Sequence, residues 1–338
     1  MPAIQVSGDR PGVGKTSLAA VLLLRAASLG HNPGYYKPFT TSQGEDPDVA
    51  FVLQHLLPQQ ADAPAPIPLP ADAGPGHAES LSGQLASMAG LSDTGTVIVE
   101  GPDLASPAGQ AWRLPGLTAE ALDCRIVLVM GFSNRMSVQA LVADLGHMRD
   151  RLAGVVVNGV TAYRARETTQ GFIAGLQAAG IPVLGAIPED RAMLAVTVEQ
   201  VANHLGGAWV QEPENTDSLI ERFLIGGNIL DSGETYYGRY SNQAVIVRTE
   251  RPDIQLASLM EDTTCLVLTG RGDPTEYIKA EAMQRSVPLI RVEQDTIPTA
   301  ESLAGLLDKA AVHSAEKARR FAALAQQHLD VGALDGLF

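Results

Sequence analysis

The chain has 338 residues, enough for two domains, and its 45% hydrophobic and 18% charged positions exclude an intrinsically disordered polypeptide. A formal net charge of −14, divided as −6 over residues 1–208 and −8 over 209–338, leaves neither half a basic module for nucleic acid or an anionic membrane. Two cysteines, Cys124 and Cys265, make no disulfide framework, and no apolar run approaches the roughly 18 residues of a membrane span. The start of the sequence shows no basic-then-apolar leader, so the expected location is cytoplasmic.

Up to about residue 205, apolar runs alternate with helical periodicity. Strands are predicted at 3–7, 34–38, 96–99, 126–130, 155–157 and 183–187, and helices at 15–29, 49–57, 138–152 and 172–179. Near-continuous apolar strands separated by helices imply an α/β fold with a parallel sheet covered on both faces. Pro58, Pro64, Pro66, Pro68, Pro70 and Pro75 crowd one segment, which is expected to be a surface loop without regular structure. A break rich in Gly, Glu, Pro and Asn at 206–217 is the expected domain boundary. Beyond it, strands are predicted at 223–230, 244–247, 265–269 and 289–292, helices at 252–260 and 275–285, and one amphipathic helix at 314–329. The resulting division is a nucleotide-binding domain over 1–208, a linker over 209–217, a smaller α/β domain over 218–312 and a helical tail over 313–338.

Gly8-Asp9-Arg10-Pro11-Gly12-Val13-Gly14-Lys15-Thr16 lies between a predicted strand and a predicted helix. That is the context of a phosphate-binding loop, whose glycines let backbone N–H groups face phosphate oxygens at a helix N-terminus. The leading glycine stands one residue early, making this a variant form. Lys15 would reach the outer phosphates and Thr16 would ligate magnesium, with Gly12, Val13, Gly14 and Ser17 completing the cradle for Mg2+ and ATP. Usage sharpens the signal. The chain has 19 Arg and only five Lys, yet Lys15 and Lys37 both fall in its first 37 residues.

Three further segments, together with the loop, resemble the dethiobiotin synthetase family and its relatives at the N-terminus of some phosphotransacetylases. The first is Gly34-Tyr35-Tyr36-Lys37-Pro38-Phe39-Thr40-Thr41. The resemblance implies that Lys37 contacts the phosphoryl group and a substrate carboxylate, with Thr41 as the following hydroxyl; a solvated strand-end charge is the plainer reading of Lys37. The second is Val97-Ile98-Val99-Glu100-Gly101, where Glu100 matches a magnesium ligand of the family, while Pro102-Asp103-Leu104 replaces its usual A-G-G. Taken alone, Glu100 is equally an ordinary strand-end acid. Asp46 and Asp48 open the next helix, and Asp48 is the better match to another magnesium-directed acid, though helix capping explains such a residue as well. In the third, 154–160 and 181–188, Asn158 corresponds to an adenine-recognising amide or is a turn residue before Gly159.

Two departures bear on catalysis. Pro11 replaces a family Thr. Arg10 stands where related dimeric ATPases of the MinD type carry a Lys that reaches the partner's nucleotide, so a role in trans and a surface position are both open. From about residue 219 to 310 the chain resembles the DRTGG domain, through Ile225-Gly226-Gly227, Gln243-Ala244-Val245-Ile246-Val247 and Arg251-Pro252-Asp253-Ile254, with Glu250-Arg251-Pro252 replacing the motif's Asp-Arg start. Such domains tend to self-associate, which implies a homodimer or higher homo-oligomer. The segment 231–240, with Tyr236, Tyr237 and Tyr240, is the expected binding or dimer-contact loop.

Three functions fit this reading. A Mg·ATP-binding regulatory protein linked to phosphotransacetylase-type metabolism, with slow hydrolysis and a separate acetyltransferase chain as partner, accounts best for the appended domain. An ATP-dependent ligase would activate a small carboxylate or carbamate as an acyl phosphate for attack by an amine. A dimeric switch ATPase would use Arg10 in trans. No partnership with nucleic acid or membrane is expected.

Overall fold

The computed structural model describes residues 3–60, 64–69, 95–105, 113–133, 136–227, 234–307 and 310–338. It divides into two compact units, Met1–Glu189 with Val312–Phe338, and Asp190–Ala311.

The first unit is built on β1 (Ala3–Gly8), β2 (Pro33–Tyr36), β5 (Thr96–Asp103), β6 (Cys124–Gly131), β7 (Leu152–Val160) and β8 (Val183–Pro188). They form a six-stranded sheet in the order β2-β5-β1-β6-β7-β8, with every pair parallel. Both faces are covered, which is why these strands are apolar runs rather than alternating ones. Helix α1 (Lys15–Ser28) has neither Gly nor Pro in its span and buries Leu18, Ala19, Leu22, Leu23 and Ala26. Asp46 caps α2 (Pro47–His55), whose first residue is a proline with no N–H to satisfy. Helix α3 (Leu114–Ala121) begins the same way around Pro115; that proline masks the helix in a sequence reading.

The helix expected to run to residue 152 ends as α4 (Val138–Asp144), because Gly146 follows and the chain turns through a short 3-10 segment at Arg149–Arg151. The one expected at 172 begins earlier. Its run, α5, comprises Ala165–Glu167, a π-helical Thr168–Ile173 and Ala174–Ala178. The proline-rich segment also corrects expectation. Ile67–Pro68 (β4) pairs in parallel with Phe39–Thr40 (β3), the N–H of Ile67 reaching Pro38 O at 3.0 Å and that of Leu69 reaching Thr40 O at 2.9 Å. Strand alternation puts the missing donor of Pro68 on the side away from its partner. Pro70 and Pro75 lie outside the described residues.

Residues 312–338 return to this unit rather than standing apart as a tail. Helix α11 (Ala315–His328) is amphipathic and buries Ala318, Phe321 and Ala325, and it packs on α1. Asp330 N–H donates to Leu184 O in β8 over 2.7 Å, and α12 (Val331–Asp335) brings Asp335 into a two-armed ion pair with Arg25, at 2.7 and 2.6 Å.

The second unit carries a five-stranded sheet formed by β10 (Ala208–Trp209), β12 (Arg222–Ile225), β13 (Gln243–Arg248), β14 (Thr263–Thr269) and β15 (Leu289–Val292), in the order β10-β15-β14-β13-β12. All pairs are parallel except β10, which runs antiparallel at the edge. Ala244 and Ile246 face one hydrophobic cluster and Val245 and Val247 the other, as a period of two requires. The first cluster is closed by α6 (Val198–Leu205) and α10 (Thr296–Ala304), the second by α8 (Pro252–Leu259) and α9 (Glu276–Gln284). The segment 206–217, expected as a linker, therefore lies inside this unit, since α6 buries Val198, Val201 and Ala202 there. Two short strands, β9 (Val196–Thr197) and β11 (Leu219–Ile220), pair beside α6. Of the three tyrosines expected on a binding loop, Tyr237 in α7 (Glu234–Tyr237) is buried, while Tyr236 and Tyr240 are exposed; residues 231–233 lie outside the described set. Among the described residues no helix is long and apolar enough to cross a membrane.

Candidate functional site

In an open parallel sheet the carboxyl ends of the strands form the binding edge. Here that edge collects the loop after β1, Lys37 after β2, Glu100 and Asp103 on β5, Gly131 on β6 and Asn158 on β7. Gly12 and Gly14 adopt φ of 75° and 100°, a left-handed backbone that residues with a Cβ avoid. Gly14 is also the N-cap of α1, and a Cβ there would stand 2.6 Å from the Asn158 amide nitrogen. Asn158 donates to Val13 O over 2.9 Å and so props the loop. The first-turn N–H groups of α1, at Lys15, Thr16 and Ser17, have no acceptor within the helix and carry the positive end of its dipole.

Among the described residues, Lys15, Lys37 and Arg10 around this cradle are each matched to an acid. Lys15 Nζ is ion-paired with Asp103 Oδ1. Thr16 donates to Glu100 Oε1 over 3.0 Å, and Tyr35 donates to Glu100 Oε2 over 2.8 Å. Lys37 Nζ lies 2.9 Å from Asp46 Oδ1 and also pairs with Asp48 Oδ2, whose other oxygen accepts from His313 Nε2 over 2.7 Å. Asp46 is the helix cap, accepting from the N–H groups of Asp48 and Val49, and takes a further hydrogen bond from Thr40 Oγ1 at 2.5 Å. Thr41, by contrast, is exposed, and it is Thr40 that belongs to the cluster. Arg10 folds onto its own unit: it pairs with Asp9 at 2.6 Å and donates to the carbonyls of Gly131 and Phe132 at 3.0 and 3.4 Å.

The charges shape one another. Burial pushes the Glu100 carboxyl up, and the charge of Asp48 adds to this, while Lys37, Lys15 and Tyr35 pull it back. Burial likewise works against Asp48, but the His313 hydrogen bond and the Lys37 ammonium outweigh it and hold that carboxyl well below the ordinary range. Burial opposes the Lys37 ammonium, which the charges of Glu100 and Asp48 nevertheless keep above its usual value.

The residues present fit a magnesium-bound nucleotide. The left-handed glycines open the loop, and nothing lies within 4 Å of where a Cβ of Gly12 would be. The Thr16 hydroxyl and the Glu100 carboxylate already meet. One hydroxyl, one or two carboxylates and phosphate oxygens are the donor set magnesium takes.

The family described as AAA domain matches residues 3–196, more than half of the chain, and the one described as DRTGG domain matches residues 200–306. The chain belongs to the first of these families. It is a dethiobiotin synthetase-like P-loop domain fused to a DRTGG domain. Its similarity to the phosphate acetyltransferase of Acinetobacter baylyi is 22% identity over 366 residues, which takes in 96% of this chain and 50% of that protein. The chain thus spans about half the length of this curated relative. Among solved structures, MinD from Aquifex aeolicus is 16% identical with a TM-score of 0.39, covering 56% of this chain and 83% of that one. The CBS and DRTGG domains of Clostridium perfringens pyrophosphatase are 13% identical with a TM-score of 0.31, covering 45% and 75%.

The AAA-type site contains four residues to which sequence reasoning gave no role. Tyr35 and Thr40 lie inside a segment already singled out, so their side chains had a signal in their neighbourhood. Asp103 was visible as a departure from the family pattern. His313 carried no signal, being 265 residues from the carboxylate it holds.

Proposed function

We propose that this protein binds Mg·ATP at the phosphate loop and has a regulatory, metabolite-sensing role tied to phosphotransacetylase-type metabolism, with at most slow hydrolysis. The observation that carries this reading is the clamp on Lys37. A ligase needs that ammonium for an acyl phosphate, and here Asp46 and Asp48 already neutralise it. Lys15 and the N–H groups from Gly12 to Ser17 hold the phosphates, Thr16 and Glu100 hold magnesium with Asp48 nearby, and Asn158 borders the base. Bound magnesium would offset the charge of the phosphate oxygens. The DRTGG domain would then self-associate or sense a metabolite, making a homodimer or higher homo-oligomer, and a separate acetyltransferase chain is the partner to look for.

The test is calorimetric binding of Mg·ATP together with ADP release, alone and with bicarbonate plus panels of diamines and dicarboxylates, using Lys15→Ala as control. The expected result is binding that the control loses, with turnover staying below about 0.1 s⁻¹ in every mixture. Faster, substrate-stimulated turnover would support the second reading, an ATP-dependent ligase acting on a small carboxylate and an amine. That reading is favoured by one observation: Lys37 after β2 and Glu100 on β5 lie at the same sheet edge beside the phosphate loop, and Thr40 shares with Lys37 the carboxylate of Asp46. Scattering with and without Mg·ATP tests whether nucleotide closes a dimer in which Arg10 leaves Asp9 for a partner's phosphates.

A further inference from the structure

Residues 312–338 are seated in the first unit at several points. Gly185 of β8 bridges Leu329, and a Cβ on Gly185 would collide with His328 O, so the strand leaves room for the returning backbone. Val312 and Phe321 are buried, and Asp335 pairs with Arg25 at 2.6 Å. The start of the segment therefore has a fixed course, which brings His313 to the first turn of α2. Ser314, the next residue, opens α11: its hydroxyl accepts from the N–H of Lys317 over 3.2 Å and its carbonyl from that of Ala318 over 3.1 Å.

Asp48 is held at both of its oxygens. Lys37 pairs with Oδ2, and His313 Nε2 donates to Oδ1 over 2.7 Å. A carboxylate held at one oxygen still turns about its own bond, and a donor on the second oxygen fixes its plane. The Lys37 ammonium is shared with Asp46, so the second hold comes from His313. The imidazole is itself placed by packing, its ring 5.6 Å from that of buried Phe51, three residues beyond Asp48 on α2. The charges of Asp48 and Glu100 oppose one another, so the two carboxylates share one field, and Thr16 already meets Glu100. A carboxylate that serves a cation, directly or through a water, has to be ionised and correctly turned, and donors behind it govern both.

We infer that His313 is a positioning residue for the magnesium-dependent part of nucleotide binding: it fixes the Asp48 carboxylate, and so makes the segment that follows the DRTGG domain a component of the site in the first unit. This rests on the Mg·ATP reading above and adds to it a route by which the bound nucleotide is registered in the chain that leaves the second unit. Linkage makes the effect reciprocal, so bound Mg·ATP holds His313 and the start of α11 in turn.

Calorimetry on the full chain measures ATP affinity with magnesium and with a chelator in the wild type, His313→Ala, His313→Gln and Arg25→Ala. The last variant loosens the same segment at Asp335, away from the site. Magnesium should tighten ATP binding by the wild type. His313→Ala should lose about tenfold in affinity with magnesium and stay within about twofold without it, and His313→Gln should recover part of the loss. Unchanged affinity without magnesium also reports that each variant folds. Arg25→Ala should stay within about twofold in both conditions. Hydrogen exchange gives a second readout: Mg·ATP should slow the Lys317 and Ala318 amides in the wild type, and ATP with chelator should not. A loss in His313→Ala that is equal with and without magnesium would overturn the inference, as would no loss, a matching loss in Arg25→Ala, or exchange that Mg·ATP leaves unchanged. ATP binding by the wild type that ignores magnesium would overturn it too, while leaving nucleotide binding in place. No binding in either condition would instead remove the nucleotide-binding reading itself, and this inference with it.

Discussion

His313 Nε2 donates to Asp48 Oδ1 over 2.7 Å, tying the returning C-terminal segment to the first turn of α2. The ring of Phe51 lies 5.6 Å from that of His313, so the imidazole is held by packing as well as by its hydrogen bond. Asp48 is thereby kept ionised beside Lys37. The expected result for His313→Ala is a loss of about 1–3 kcal/mol in stability, read from the denaturant midpoint, because a shielded carboxylate loses a donor. His313→Gln, whose amide can still donate, should recover part of it; equal losses in the two variants would leave packing alone as the cause.

Lys37 holds Asp46, which is nearly fully buried, and Asp48. Removing the ammonium leaves two uncompensated carboxylates, so Lys37→Met should destabilise the protein by about 3 kcal/mol. Affinity for ADP should stay within about twofold of wild type, because Lys37 stands outside the phosphate loop. A large loss of ADP affinity without loss of stability would reverse this assignment.

Gly14→Ala meets two obstacles at once, a φ of 100° and a Cβ only 2.6 Å from the Asn158 amide. The variant should lose about 1–3 kcal/mol of stability and most nucleotide affinity. Gly12→Ala faces open space and only the φ of 75°, so its loss should be smaller, about 1 kcal/mol. Adding Asn158→Ala to Gly14→Ala should relieve the collision and leave the backbone strain, which a melting comparison of single and double variants would show.

Burial pushes the Lys317 ammonium on α11 down to about 8. The unfolded chain then binds more protons than the native one between that value and the ordinary lysine range, so stability rises with pH across this window. The rise should amount to at most ~3 kcal/mol between about pH 8 and 10.5. Lys317→Met should flatten the rise, as urea titrations across the range would show. A wild-type profile that falls over this window would contradict the sign.

Much of the first unit was legible because its signals are local. Apolar runs bounded by glycine and proline mark all six strands of its sheet, and a helix that starts directly at Gly14-Lys15 can only present its N-terminus to the loop. What misled was also local. Pro115 and Pro298 sit in first turns, where proline is tolerated, yet in a sequence they look like helix breakers. The edge strand Ala208–Trp209 is too short to show a period, and only its pairing with β15 makes it a strand.

The site divides along the same line. The sequence by itself determined the phosphate loop, the strand-end positions of Lys37 and Glu100, and the order of the two domains, because each depends on neighbours a few residues away. Only the tertiary structure decided how the charges are matched: Asp103 on Lys15, both Asp46 and Asp48 on Lys37, Thr40 in place of Thr41, and His313 on Asp48. The reason is physical. A buried charge is held by whichever opposite charge or donor the fold brings within about 3 Å, and the identity of that partner is a property of packing between strands and helices distant in the chain.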